Sequence, residues 1–393
     1  MRDQSKLPKG WRIEKLPKIL QFLPGKAHER FIEESGRFVV ANSKFVSTSG
    51  KVRKFSSKNV SPAQAGDVLI VMSDLPNGRA LGKAYLVSQG EEIAVNQRVC
   101  ALRAKHGEPA FYFYFLDRNR YFLDFDDGIN QTHLLNPVFE ECPIVVPPLP
   151  EQRKIAEILR TWDEALDKLT ALCAAKEKRL GALRYAMLFG ELRLDDTRRN
   201  WAPTRLAAVT HELTSRNGAN GLGRDFVMGV TKAQGVVPMR EQTIAGDIRR
   251  YKRLPPRAFA YNPMRINVGS IAMNERDEEV LVSPDYVVFT CNANDLDPDY
   301  LDHLRKTSWW AHYINSGGSG SVRQRTYYDD LAALKLPLPE LGEQKAIAAV
   351  LNTARDDLAA TEREIEAVTL QKRGLMQKLL TGEWRVNSEK ELA

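Results

Sequence analysis

Along two long stretches of the chain, apolar residues recur at alternating intervals of four and three. Ile155, Leu159, Trp162, Leu166, Leu169, Cys173, Lys176, Leu180, Leu183 and Met187 keep this spacing in the first stretch. Ile347, Leu351, Ala354, Leu358, Thr361, Ile365, Val368, Lys372, Leu375 and Leu379 keep it in the second. A seam sustained for so many turns predicts coiled-coil helices, not surface helices with a broad apolar face. At about 1.5 Å per residue, each helix would be roughly 60 Å long. Two such helices in one chain could bundle with an unrelated partner or dimerise, but they are expected to pair with each other, antiparallel. A pseudo-twofold pairing sets Lys176 opposite Leu358 and Lys372 opposite Trp162, where a lysine stem can cover apolar surface while its ammonium reaches water. Parallel pairing would also keep the two lysines apart, so they tolerate the antiparallel arrangement without selecting it.

Between and before these helices the chain is written twice. GWRIEKL at Gly10–Leu16 is matched by WAPTRL at Trp201–Leu206, with Trp11 aligned on Trp201. Glu108-Pro109 is matched by Asp297-Pro298, each placing proline at the first helical position behind an acidic N-cap. The predicted helices run on through the aromatic stretches FYFYFLDRNRYFL and YLDHLRKTSWWAHYI, and end near Gly128 and Gly317. Each copy closes with a proline-rich strand end and a long helix, and the interval from Glu151 to Glu343 equals that from Gly190 to Gly382. A tandem duplication accounts for the whole series. Glu340-Leu341-Gly342 reads as an insertion before Glu343 that leaves the heptads in register. The expected domains are residues 1–148, a spacer helix within 149–194, residues 195–336, and a second spacer helix within 337–393. The fold class is α/β (α+β): two tandem globular domains separated by a pair of long antiparallel coiled-coil helices.

The net charge of +7 is not spread evenly. Residues 1–148 carry 21 Lys+Arg against 16 Asp+Glu, and residues 195–336 carry 19 against 17, so the two helical segments are neutral overall. The excess permits an anionic partner of the globular parts. Lys51, Arg53, Lys54 and Lys58 cluster in the first copy, and Arg249, Arg250, Lys252 and Arg253 in the second. Basic clusters are often mere solvated surface, but these recur in both copies. The glycine-rich segment SGGSGSVRQR ends in Arg323, Gln324 and Arg325, and Asn130 and Gln131 stand in the equivalent place in the first copy. Arg, Asn and Gln carry the paired donors and acceptors that suit purine edges.

Catalytic patterns are missing. The chain has no P-loop, H-E-x-x-H, G-x-S-x-G or dinucleotide fingerprint. Tyr261-Asn262-Pro263-Met264 only partly matches the Asn-Pro-Pro-aromatic motif of amino-methyltransferases and is expected to be a turn. Asp126-Asp127 and Asp329-Asp330 are expected to be loop acids or helix caps, not nuclease ligands. Six histidines make no ligand-spaced pair, and Cys100, Cys142, Cys173 and Cys291 suit neither a disulfide framework nor a zinc site. With no apolar run long enough for a bilayer and no apolar segment at Met1–Lys6, the expectation is a cytoplasmic binding protein without membrane contact, metal or cofactor.

PPLPEQRKIAEIL with LFGELRL, and PLPELGEQKAIAAVL with LLTGEWRV, resemble the region-closing motifs of the specificity subunits of type I restriction–modification systems. GDVLIVMSDLPNG, NQRVCALR, YNPMRINVGSIAM and VSPDYVVF are also similar to that family, so the resemblance spans essentially the whole chain. It implies two target-recognition domains, each reading half of a bipartite asymmetric site in double-stranded DNA, with the helices setting the gap. It also implies two methyltransferase subunits, which bring S-adenosylmethionine and methylate adenine, and restriction/translocase subunits driven by ATP. On this reading Asn130, Gln131, Arg323, Gln324 and Arg325 approach bases. Lys51, Arg53, Lys54, Lys58, Arg249, Arg250, Lys252 and Arg253 hold phosphates. A coiled-coil adaptor without DNA specificity and a self-contained nuclease or methyltransferase are the alternatives from other classes.

Overall fold

The computed structural model describes residues 7–76, 78–194, 201–219, 221–316 and 325–386. It forms two compact units, one of residues 1–169 with 364–393, the other of residues 170–363. Both mix helices and strands, and each contains one copy of the repeat.

Each copy starts and ends on one two-stranded ribbon. Arg12–Lys15 pairs antiparallel with Pro143–Val146, and Ala202–Arg205 pairs in the same way with Lys335–Leu338. Behind each ribbon lies a four-stranded antiparallel sheet. Its order in the first unit is Leu20–Pro24, Val99–Ala104, Val68–Val71, Ala84–Leu86. In the second unit it is Thr210–Glu212, Val287–Cys291, Phe259–Tyr261, Ile271–Met273, the same order strand for strand.

Val68–Val71 reads VLIV and is buried throughout because both of its faces are covered. Alternate side chains of a strand point to opposite faces. Val68 and Ile70 accordingly join Cys100 and Leu102 in a core that includes Ile155, Leu159 and Leu379 of the long helices. Leu69 and Val71 join Val99 and Ala101 in a second core beneath Phe45, Ile93 and Val95. The second unit divides likewise: Phe259, Tyr261 and Phe289 face Leu180, Met187, Ile347 and Leu351, while Ala260 and Val288 face Met228, Val230 and Leu254. The outer layers differ. Phe38–Ala41 runs parallel to Ile93–Val95 in the first unit, whereas Lys252–Leu254 is antiparallel to Val280–Val282 in the second.

The long helices span Leu149–Leu188 and Leu341–Thr381. None of the predicted seam positions is exposed on either helix. Within each unit the two helical segments run antiparallel. In the first, Glu151 meets Arg385 and Asp163 meets Lys372; in the second, Lys176 meets Asp357 and Arg193 meets Glu343. The seam lysines do not simply reach for water. Lys176 Nζ donates to Asp357 Oδ1 at 2.7 Å and Thr361 Oγ1 at 2.9 Å, and Lys372 pairs with Asp163 over the Tyr114 ring. A carboxylate one position from the expected partner captures each ammonium.

Two sequence expectations are corrected. Leu341 begins the second helix as Leu149 begins the first, so Glu340-Leu341-Gly342 is no insertion. Pro148 and Pro150 are replaced by Glu340 and Gly342, position for position. The aromatic stretches are not single helices either. Pro109–Leu116 gives way to Arg120–Leu123 where Arg118 takes a positive φ of 52° and Asn119 caps the new helix through Tyr121 N. Pro298–Leu304 gives way to Ser308–Ser316, where Thr307 Oγ1 accepts from Trp310 N at 3.3 Å.

Candidate nucleic-acid interface

The motifs that open and close each copy meet at the ends of the helices. Trp11 Nε1 donates to Glu151 Oε2 at 3.0 Å, and Arg385 pairs with the same carboxylate. In the other unit Trp201 Nε1 donates to Glu343 Oε2 at 3.2 Å, Arg193 Nε donates to Oε1 at 2.7 Å, and the Arg193 guanidinium lies 4.9 Å above the Trp201 ring. Beside each glutamate a buried glutamine ties the aromatic helix to the long helix. Gln152 Oε1 accepts from Glu108 N at 2.9 Å while Nε2 donates to Pro147 O. Gln344 Oε1 accepts from Asp297 N at 2.8 Å while Nε2 donates to Asp295 O and Pro339 O. The Glu-Gln dipeptide is a junction that fixes each globular part on its helix end. Gly190 and Gly382, both with positive φ, terminate the helices, and a Cβ on Gly382 would lie 2.8 Å from Pro8 Cγ.

The proposed base-reading segment of the first unit is a braced loop. Thr132–His133 pairs with Ser73–Asp74, and Gln131 Nε2 donates to Ser73 Oγ at 3.1 Å. Asp127 accepts from Ile129 N, Asn130 N and Asn130 Nδ2, bonds that hold its carboxyl down at about 2. Asn130, Gln131 and a largely bare Ile129 are exposed on this loop. Asp126 accepts from Gly128 N and Thr132 Oγ1, and Asp330 from Tyr327 N, so these two acids act in loop and cap. Tyr261-Asn262-Pro263-Met264 forms a turn in which Asn262 Oδ1 accepts from Met264 N at 2.9 Å.

Lys51, Arg53, Lys54 and Lys58 are exposed around a separate loop. Arg53 Nε donates to Gly50 O, and Lys58 lies 5.3 Å over the Phe31 ring. In the second unit Arg249 and Arg250 are exposed at a turn, but Arg249 is held by both Asp247 oxygens, which keeps that carboxyl at about 2. Lys252 is largely covered and lies 3.7 Å from Glu212; Arg253 donates to Glu279 at 2.7 Å. These two are the least available of the set. Arg325 is exposed, 3.5 Å from the Tyr327 hydroxyl, while Arg323 and Gln324 lie outside the described residues. Sequence reading missed Arg216, which is exposed and donates to Arg250 O at 2.8 Å. A lone arginine so far along the chain gives no signal until the segments 215–218 and 249–253 are seen paired.

Among the described residues no group of three or more His, Cys, Asp or Glu could hold a metal ion, and no helix is long and apolar enough to cross a membrane. Buried Cys142 and Cys291 have thiols pushed up to about 12 by desolvation, so they are poor nucleophiles. A twice-repeated α+β module, each copy fixed to a long-helix end by the same Trp–Glu–Gln junction, defines a class: tandem two-module proteins.

The chain belongs to the type I restriction modification DNA specificity domain family, whose profile matches residues 8–174 and 259–370. It is 22% identical over 418 residues to the type I restriction enzyme MjaVIII specificity subunit of Methanocaldococcus jannaschii, covering 98% of this chain and 95% of that one. It is 21% identical over 426 residues to the putative MjaX specificity subunit of the same organism, covering 98% and 96%. Its fold resembles that of the type I restriction–modification S subunit from M. genitalium, with a TM-score of 0.61, 12% identity, and 96% and 98% of the chains covered. A chain from a structure of the type I R-M system gives a TM-score of 0.57 at 19% identity, covering 96% and 100%. The protein is a DNA sequence-recognition subunit of a type I restriction–modification system.

Proposed function

We propose that the segments 1–148 and 195–336 each read one half of a bipartite, asymmetric DNA site. The helices within 149–194 and 337–393 set the unspecified gap and dock two methyltransferase subunits, which supply S-adenosylmethionine chemistry on adenine. Restriction subunits join the same assembly in the cytoplasm and supply cleavage, and this chain catalyses nothing itself. The carrying observation is the duplication in three dimensions: one sheet order and one Trp–Glu–Arg junction, built twice at the ends of charge-neutral helices. Asn130, Gln131, Arg323, Gln324 and Arg325 contact bases, and the exposed members of the two basic clusters contact phosphates.

Lengthening both helices tests the ruler. One added heptad raises each helix by about 10 Å, equivalent to about three base pairs. The methylated motif should keep both half-sites and gain a gap about that much longer. Unchanged spacing in a properly assembled enzyme would rule the ruler out.

A further inference from the structure

A groove of about 800 Å³ opens in the second unit between the hairpin Met228–Thr231/Gly235–Pro238, the turn at Gly269 and the helix Ser308–Ser316. Five cations from four segments line it, Lys232, Arg276, the neighbours Arg305 and Lys306, and Arg355, against the single lining carboxylate of Glu275. Their counter-charges fall short. Arg305 and Lys306 share the one buried carboxylate of Asp302, at 2.8 and 2.6 Å. Arg355 lies 3.1 Å from Asp356 and only 3.8 Å from Glu275. Lys232 and Arg276 have no side-chain partner among the described residues. The Lys232 stem lies close over Gly269, where an added Cβ would come within 3.0 Å of its Cγ and Cδ. Trp310, also in the lining, has a buried indole N–H without an acceptor. Burial and then the neighbouring guanidinium groups push Lys306 below the ordinary lysine range, against the pull of Asp302. The groove carries more positive than negative charge, and its lining includes an unused donor.

We infer that this groove binds phosphate groups, with Lys232 and Arg276 as the free cations that grip them. Resting on the DNA-recognition reading, the source is the sugar–phosphate backbone beside the half-site of the second unit. A free phosphate ligand has the same chemistry.

Lys232→Ala and Arg276→Ala separate the sources, and both side chains are exposed, so the variants should melt with the wild type. Binding of the methyltransferase-loaded complex to a cognate and a scrambled duplex is followed across salt concentrations. Inorganic pyrophosphate is titrated into the full chain. Backbone binding predicts that each variant weakens both duplexes alike and flattens the salt slope by about one unit. Unchanged duplex binding with pyrophosphate binding lost would assign the groove to a free phosphate ligand. No change in either overturns the inference. A wild-type complex that fails to prefer the cognate duplex would instead overturn the recognition reading, leaving the pyrophosphate titration to decide the groove.

Discussion

Arg193, just beyond the end of the first long helix, grips Glu343 at the start of the second with two hydrogen bonds, Nε to Oε1 at 2.7 Å and Nη2 to Oε2 at 3.1 Å. Glu343 also accepts from Trp201 at the start of the repeat, so one carboxylate joins three separate segments. Glu343→Ala removes the carboxylate that the Arg193 guanidinium and the Trp201 indole N–H share. Truncating one partner of a buried pair costs about 3–5 kcal/mol, and partial exposure here brings the expected loss to about 2–3 kcal/mol. Urea unfolding of the variant checks this; a change under about 0.5 kcal/mol, the usual span for an ordinary surface site, would show that the junction is not structural.

Gln344 makes three hydrogen bonds at the same junction, two of them to backbone carbonyls. Gln344→Leu keeps the volume but strands Asp297 N–H and two C=O groups. Each stranded buried group costs about 1–3 kcal/mol, so a total near the upper end is expected. Gln152→Leu should behave alike in the first unit. Hydrogen exchange should show the local effect as faster exchange at Asp297 and Glu108.

His303 links the second globular part to both long helices. Its Nε2 lies 2.9 Å from Asn352 Oδ1, and its Nδ1 is 3.3 Å from Arg184 Nε, which can only donate. The ring is therefore neutral, with its proton on Nε2. Burial lowers its pKa to about 4, with Arg184 adding to the effect. The unfolded chain binds this proton more tightly than the folded one. The stabilisation is thus complete above about pH 6.5 and is lost as pH falls toward 4, by up to about 3 kcal/mol. His303→Gln should flatten stability against pH across that window. An unchanged slope would assign the acid sensitivity elsewhere.

For the braced loop of the first unit, Gln131→Ala should cost about 1–3 kcal/mol on the cognate duplex and relax one position of one half-site. Lys51→Ala should instead weaken all duplexes similarly and reduce the salt slope by about one unit. Arg323→Ala should act like Gln131→Ala, on the other half-site. A competition assay with single-base variants of the site separates the two patterns. Site preference unmoved by either Gln131→Ala or Arg323→Ala would exclude them from base reading.

The long helices were legible because a heptad seam is local and periodic, and the repeat because Glu151-Gln152 and Glu343-Gln344 recur at matching positions. The sheet order was not: its strands are three to six residues long and pair across intervening segments, as Leu20–Pro24 does with Val99–Ala104. Nor was the job of the repeated motif visible, since Trp11, Glu151 and Arg385 come from three distant places. The aromatic stretches misled because apolarity continues across Asp117–Asn119 while the backbone turns there. At the site, clustering in sequence overstated Lys252 and Arg253, whose acidic partners Glu212 and Glu279 lie far along the chain. The groove cations were missed for the converse reason, being scattered from Lys232 to Arg355.

On the proposed function, this chain chooses the DNA sequence through two separate modules. A genome-wide map of methylated adenines, made in cells expressing the chain with a methyltransferase subunit and in cells lacking the chain, is the decisive test. The expected result is a new bipartite, gapped motif that appears only with the chain. A methyltransferase shown to be active in another pairing, yet yielding no new motif or an ungapped one with this chain, would overturn two-module recognition.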